Sequence, residues 1–297
     1  MTKALTTPAA TALAAATALG LGAGAQAQGQ NFDEVEITTH QLADGLYYLE
    51  GAGGNIAVSV GEDGVLIVDD QFAPLSDKIM AAIAELSDEP VSFVLNTHHH
   101  GDHVGGNAAF GGAGATIVSH ENARPRIAGN FGDDPVPAAA LPVVTFSEDV
   151  TFHFNGETIH VFHVDPAHTD GDAMVHFQTA DVIHTGDVFR TTSYPAADTN
   201  GGGNFFGILA AYERVAGMMD DDSRLLPGHG VLSDRSEIDS QLAMIEAIRA
   251  PITAAKAEGK SLEEVLAMAP SADYDEAWSA GRWNAEYLVT TLYEAAE

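Results

Sequence analysis

Val91-Ser92-Phe93-Val94-Leu95 runs into Asn96-Thr97-His98-His99-His100-Gly101-Asp102-His103, an apolar stretch ending in the densest histidine cluster of the chain. The first five residues have the length and apolar character of a short buried strand. The cluster behind it reads H-x-H-x-D-H. Residues two apart on an extended segment point the same way, so His98 and His100 can reach one ion together. Asp102 and His103 then turn toward a second ion beside it. A buried cluster of this kind is costly unless metal or hydrogen-bond partners satisfy it. Imidazole nitrogen and carboxylate oxygen are the ligands zinc takes where cysteine is absent. This chain has no cysteine.

Three more positions share that setting. His168 follows the predicted strand Thr158–Val164 in Pro166-Ala167-His168-Thr169-Asp170-Gly171-Asp172. Asp187 follows Val182–His184 in Thr185-Gly186-Asp187, and His229 follows Leu225-Leu226 in Pro227-Gly228-His229-Gly230. Each is a polar residue at the end of a strand, where loops carry function, beside a glycine that lets backbone crowd the site. The remaining histidines say less. His99 lies between two candidate ligands and points away from both, as a supporting or surface residue does. His153, His160, His163, His176 and His184 fall within strands and read as ordinary sheet residues, the third and fifth near ligand-bearing loops. His40 and His120 carry no signal.

Apolar alternation predicts strands at Gly45–Glu50, Asn55–Val60, Thr116–Ser119, Val143–Phe146, Val150–Phe154 and Ala173–Gln178. Val65–Val68 and Arg224–Leu226 are short buried strands. Helical spacing covers Pro74–Leu86, Ile208–Met219, Ser236–Glu258, Leu262–Met268 and Trp283–Ala295. Gly105-Gly106 reads as a turn, and glycines 201–203 as a flexible loop. No repeat and no proline- or charge-rich linker divides the chain, so one domain is expected. Two strand-rich halves, each with helices, give an α+β fold with sheet packed on sheet and helices outside.

Residues 1–27 read as a secretory signal, with Lys3, an apolar stretch over Ala9–Ala23 and a small-x-small site at Ala25-Gln26-Ala27. The functional domain is then expected over 28–297, in the periplasm or secreted. The apolar run is too short for a membrane anchor. Lys+Arg number 12 against 43 Asp+Glu, a formal net charge of −31. Such a surface repels nucleic-acid phosphate and anionic membranes. The expected partner is a small-molecule substrate, and no obligate protein partner is evident.

The ordered series H-x-H-x-D-H, H-T-x-G-D, G-D and P-G-H-G resembles the metallo-β-lactamase superfamily over essentially the whole of 28–297. Val65-Leu66-Ile67-Val68-Asp69 matches the family's first motif, whose aspartate braces the metal loop. The resemblance implies a four-layer αββα sandwich with C-terminal helices from about residue 235 packing on it. It implies one metal held by His98, His100 and His168, and a second held by Asp102, His103 and His229. Asp187 would bridge the ions or bind the second. Two zinc ions are the implied cofactor, with other divalent metals or iron as alternatives. Two ions about 3.5–4 Å apart share a water and lower its pKa to about 7, giving a bridging hydroxide that Asp102 would hold as catalytic residue.

Metal-dependent hydrolysis is the implied reaction, with β-lactam (cyclic amide) opening its favoured form. Arg190 supports that form, because cysteine-bearing β-lactamases place a carboxylate-gripping lysine at the same offset, and a guanidinium grips with a bidentate fork. The competing reading of Arg190 is a surface salt bridge. The segments Gly51–Gly54 and Tyr194–Phe206 are expected to overhang the site, with Asn204 and Asn200 as candidate substrate contacts. Asp187 stands where those lactamases have cysteine and resembles glyoxalase II, so the alternative is a lactonase, thioesterase or other ester hydrolase. Charge and export disfavour nucleic-acid cleavage. A flavin-linked di-iron reductase is disfavoured by His100, where that pattern has glutamate. Intact ligands at all seven positions disfavour a non-enzymatic metal binder.

Overall fold

Alternate residues of Val65-Leu66-Ile67-Val68 belong to different cores. Val65 and Ile67 join one buried cluster while Leu66 and Val68 join another, as period two demands of a strand covered on both faces. The computed structural model describes residues 31–296, and the leader expected over 1–27 lies outside them. The first sheet runs in chain order through β1 Thr38–Ala43, β2 Leu46–Glu50, β3 Ile56–Gly61, β4 Gly64–Val68, β5 Val91–Asn96, β6 Thr116–His120 and β7 Val144–Phe146. Its first four strands pair antiparallel and its last four parallel. The second sheet contains β8 Asp149–Phe154, β9 Glu157–His163, β10 Ala173–Phe177, β11 Val182–His184 and β12 Arg224–Leu226. Its spatial order is β12-β11-β10-β9-β8, and only β11 and β12 run parallel.

The helices are α1 Ser76–Ala84, α2 Gly101–Val104, α3 Asn107–Gly112, α4 Ala123–Gly129, α5 Phe205–Met218, α6 Arg235–Ala257, α7 Leu262–Ala267, α8 Asp275–Trp278 and α9 Ala285–Ala295. Three cores then define the layers. Ile79, Ile83 and Phe110 of α1 and α3 cover the outer face of the first sheet against Ile56, Ile67 and Val94. Leu66, Val68 and Leu95 meet Val161, Val175 and Leu226 between the sheets. Ile208 of α5, Ile245 of α6 and Leu288 of α9 cover the outer face of the second sheet against Phe162, Met174 and Leu225. The order is helix, sheet, sheet, helix, which is the αββα sandwich expected.

Some expectations needed correction. β1 was not foreseen, because only Leu42 of its six residues is buried and nothing alternates. The expected turn at Gly105 and Gly106 is there, linking α2 to α3 with helical backbone at both residues. They are glycines because a Cβ at Gly105 would stand 2.7 Å from the Gln71 carbonyl oxygen. The glycines at 201–203 form a packed corner rather than a loose loop. A 3-10 turn covers Thr199–Gly201, and the Gly203 N–H donates to the Asp198 carbonyl at 2.8 Å. The closing helix begins at Ala285, because Asn284 caps it by accepting from the Tyr287 N–H at 3.0 Å.

The topology sends several strand ends to one edge of the sandwich. β9, β11 and β12 run in the same direction, and β4 and β5 are parallel. The two sheets are tied there by main-chain bonds: Asn55 N–H to the Gly228 carbonyl at 2.7 Å, and Ala173 N–H to the Thr97 carbonyl at 2.8 Å.

Candidate metal centre

β4 is followed by Asp69, a non-glycine residue at φ +64°, and by Gln71 at +57°. Left-handed backbone costs such a residue on the order of 1 kcal/mol and persists only where the surroundings over-determine it. Donors supply that determination. Asp69 Oδ1 accepts from the Thr97 N–H at 2.8 Å, and Oδ2 accepts from Thr97 Oγ1 and from His103 Nδ1, each at 2.8 Å. Asp69 thus ties the end of β4 to the H-x-H-x-D-H loop.

The same bonds decide which ring nitrogen faces inward. Thr97 Oγ1, having given its proton to Asp69, accepts from His98 Nδ1 at 3.0 Å. His100 Nε2 donates to Asp198 Oδ2 at 2.8 Å, and His168 Nδ1 donates to the Ala196 carbonyl. With these protons pointing outward, the inward nitrogens carry lone pairs. They converge: His98 Nε2 and His168 Nε2 each lie 3.0 Å from His100 Nδ1. Three lone pairs so close repel one another unless a cation lies among them. Burial, with His103 and His100 nearby, holds His98 well below the ordinary imidazole range, and burial draws His168 down to about 3. Both are neutral donors at physiological pH.

A second set gathers beside the first. Asp102 and His103 come from α2 and His229 from the loop after β12. Asp102 Oδ2 lies 3.1 Å from His229 Nε2 and 3.8 Å from His103 Nε2. Asp187 reaches both sets, with Oδ1 at 3.3 Å from His103 Nε2 and Oδ2 at 3.6 and 3.5 Å from Nε2 of His168 and His229. Burial alone would raise the pKa of Asp187, but His229, Arg190 and His103 reverse that and hold it well below the carboxylate range. Burial likewise opposes the cation of His103. The carboxylates of Asp187, Asp102 and Asp69 overcome it and raise its pKa well above the usual value. A metal at this nitrogen therefore takes the place of a proton.

Whether these residues suit a metal can be judged from their donors. His98, His100, His168 and Asp187 bring one donor atom each within 4.8 Å of one another, and Asp102, His103 and His229 do the same. Asp187 Oδ1 is buried with no hydrogen-bond partner. Converging nitrogens, two ionised carboxylates and an orphaned oxygen fit a divalent ion that prefers nitrogen and oxygen. Gly228 permits the crowding, since a Cβ there would stand 2.3 Å from Asp187 Oδ1.

Arg190 is not on the surface. It is 8% exposed, and its Nη2 donates to Asp187 Oδ2 at 2.7 Å. The surface salt bridge is replaced by a buried pair, and the guanidinium expected to grip substrate already holds a ligand. Removing one partner of such a pair costs about 3–5 kcal/mol. Arg190→Ala is therefore expected to lower the unfolding free energy of the metal-free protein by about 3 kcal/mol. The loss should shrink on metal loading, because the metal replaces the missing charge. Denaturant titrations of both forms check this, and equal losses with and without metal would refute it.

The other expected residues fall as follows. Asn204 is exposed and caps α5, its Oδ1 accepting from the Phe206 N–H at 2.9 Å. Its side chain is used by the helix, not aimed into the metal centre. Asn200 is also exposed, with its carbonyl accepting from Arg126. The Gly51–Gly54 loop does border the site, for the Gly54 N–H donates to the Asp102 carbonyl at 3.0 Å. His99 is buried rather than on the surface, 8% exposed against Gly201. His184 has a positioning role: its Nε2 donates to the Asn55 carbonyl at 2.9 Å and its Nδ1 accepts from the Gly186 N–H at 3.1 Å. His163 and His120 stack on each other, ring centres 3.8 Å apart.

Two residues that position ligands were missed. Asp198 orients His100, and Asp172 holds the turn around His168 by accepting from Thr169 Oγ1 at 2.6 Å and Thr169 N–H at 2.8 Å. Asp172 had a signal, the H-T-x-G-D spacing, whereas Asp198 had none.

Residues 50–229 match the metallo-beta-lactamase superfamily model, and the chain belongs to that superfamily. Its members are hydrolases on a metal-dependent fold and act on small molecules. A hydroxyacylglutathione hydrolase from a Polaromonas species is 28% identical over 183 residues, 61% of this chain and 63% of that protein. The chain thus spans less than two thirds of that relative's length. The alpha subunit of a 2,4-dinitroanisole O-demethylase from a Nocardioides species is 27% identical over 44% of this chain and 41% of its own. Among solved structures, a metallo-beta-lactamase from Pontibacter korlensis superposes with a TM-score of 0.59 at 18% identity, covering 70% of this chain and 98% of that one. That likeness is one of fold. Among the described residues no helix is long and apolar enough to cross a membrane.

Proposed function

We propose that this chain is a zinc-dependent hydrolase of small acyl substrates. The observation that carries the proposal is the convergence of three imidazole nitrogens with Asp187, beside a second set that includes an ionised Asp102. His98, His100 and His168 would hold one ion and Asp102, His103 and His229 another, with Asp187 reaching both. Bound there, two zinc ions supply Lewis acidity for an acyl oxygen and acidify a water to a pKa of about 7.

The chain's own residues do the rest. Burial would raise the pKa of Asp102, but His103 and His229 hold it below the carboxylate range, so Oδ2 is an ionised acceptor for the proton of the attacking water. Asp69, Asp198 and the Ala196 carbonyl keep the rings in one tautomer and orientation. Arg190 keeps Asp187 ionised and in place.

Thioesters, esters and lactones come first among the substrates. Arg190 is engaged with Asp187, which removes much of the case for a lactam carboxylate clamp, and one curated relative is named hydroxyacylglutathione hydrolase. β-Lactams are the second reading, favoured because Arg190 keeps its Nε unpartnered and borders a cavity beside His229. Protein stripped by chelator and reloaded with zinc should be tested on thioesters, lactones, aryl esters, penicillins, cephalosporins and carbapenems. Activity is expected to vanish with the metal and return with about two equivalents of zinc. No turnover above free zinc on any of them would end the hydrolase reading.

A further inference from the structure

The superfamily match ends at residue 229, yet the chain comes back to the metal centre much later. Between α8 and α9 it makes a tight turn, Ala280-Gly281-Arg282-Trp283, closed by the Trp283 N–H donating to the Ala280 carbonyl at 2.9 Å. Gly281 within the turn has φ +52°, a conformation that suits glycine. Arg282 and Trp283 of this turn, with Arg190, Thr192, Ser193 and His229, line one cavity of about 360 Å³. The cavity therefore reaches a residue of the second donor set.

Its charge is unusual for this molecule. In a chain of 12 Lys+Arg and 43 Asp+Glu, cations are scarce and acceptors plentiful. Among the described residues every other lysine and arginine hydrogen-bonds to a carboxylate or carbonyl, as Arg126 does to Asp170 and Lys78 to Val35, or lies within 4 Å of a carboxylate, as Arg235 and Lys260 do. Arg282 is the exception. It is exposed, and its guanidinium sits over the Trp283 ring, 4.3 Å from the centroid. Arg190 shares the lining, nine-tenths buried, with an Nε that has no partner. An uncommitted guanidinium fixed on an aromatic face is ready to meet a planar anion.

We propose that this turn builds the pocket for the anionic end of the substrate, a carboxylate joined to a planar or apolar group. Arg282 is the anchor, the Trp283 ring covers the apolar part, and Arg190 completes the lining. Arg190 is paired with Asp187, so Arg282 is the one arginine of the lining without a carboxylate partner. That matches a carboxylate monoanion and disfavours a phosphate dianion. The proposal rests on the hydrolase reading for its meaning, because the carboxylate would lie on the His229 side of the bond to be cut.

Binding to the metal-free protein separates the two claims. 4-Nitrobenzoate and 4-nitrobenzamide share size and ring but differ in charge, and calorimetric titration reads the binding of both in every variant. The wild-type protein should bind the benzoate at least tenfold more tightly than the amide. Arg282→Ala should remove that preference without shifting the unfolding midpoint, and Trp283→Leu should weaken both probes. In zinc-loaded protein, Arg282→Ala should raise KM for a carboxylate-bearing substrate about tenfold and leave kcat within twofold. Equal affinity for the two probes, or unchanged benzoate binding in Arg282→Ala, overturns the pocket. Absence of turnover with the charge preference intact overturns the hydrolase reading alone.

Discussion

Asp102→Ala is expected to cut turnover of the metal-loaded protein by about a thousandfold, in the range for loss of a proton acceptor, while its unfolding midpoint hardly moves. The side chain makes its contacts inside the metal centre, to His229 at 3.1 Å and His103 at 3.8 Å. What α2 needs from this residue is its backbone, whose carbonyl accepts from Gly54 whatever the side chain. In the metal-free protein His103 and His229 outweigh burial and the Asp187 repulsion and hold Asp102 ionised, so the midpoints are compared in the zinc-loaded protein. Asp102→Asn keeps the volume and loses only the acceptor charge, and it should be nearly as inactive. Both variants are to be assayed at saturating zinc with metal content measured in the same sample. If Asp102→Ala kept more than about a tenth of the turnover at full occupancy, the role as proton acceptor would be lost. A large drop in its midpoint would mark it as a structural residue.

The sequence made the ligands readable because each group of them directly follows an apolar run. H-x-H-x-D-H directly follows a buried strand, and His168, Asp187 and His229 each follow another. Strand period and buried runs gave the sheets for the same reason: β4 and β12 have almost no exposed residue to confuse the pattern. Elements whose shape depends on a distant contact were not readable. α2 and α3 are too short to show a helical period, so only the Gly105-Gly106 turn between them was readable, and a Cβ at either glycine would meet the backbone of Asp70 or Gln71. Arg190 looked like a free cation because its partner is itself a metal ligand. Asp198 and Arg282 belong to segments with no periodic or motif signal. One reaches His100 across ninety-eight positions, and the other returns to the cavity only after three helices. Ligands are set by local spacing, whereas the groups that orient ligands or receive substrate are set by the fold.

Asp69 should give the opposite signature to Asp102. Asp69→Ala leaves the Thr97 N–H and the His103 Nδ1 proton buried without an acceptor, and frees Thr97 Oγ1 to turn away from His98. Each orphaned buried donor costs about 1–3 kcal/mol. Alanine gains nothing in return at φ +64°, since it is strained there as aspartate is. A loss on the order of 4 kcal/mol follows from two such donors, or about 10 °C in the unfolding midpoint for a domain of this size. Metal affinity at the second donor set should fall by about 10–100-fold, because His103 loses the partner that fixes its ring. Asp69→Asn restores an acceptor for the Thr97 N–H but turns a donor amide toward His103, so it should recover stability more than metal affinity. Calorimetry with and without metal, read beside metal stoichiometry, tests both effects. A wild-type midpoint together with full stoichiometry in Asp69→Ala would mean that the loop holds its shape without the brace. The ligand geometry would then have to come from the packing of Gly105 and Gly106 against the backbone of Asp70 and Gln71.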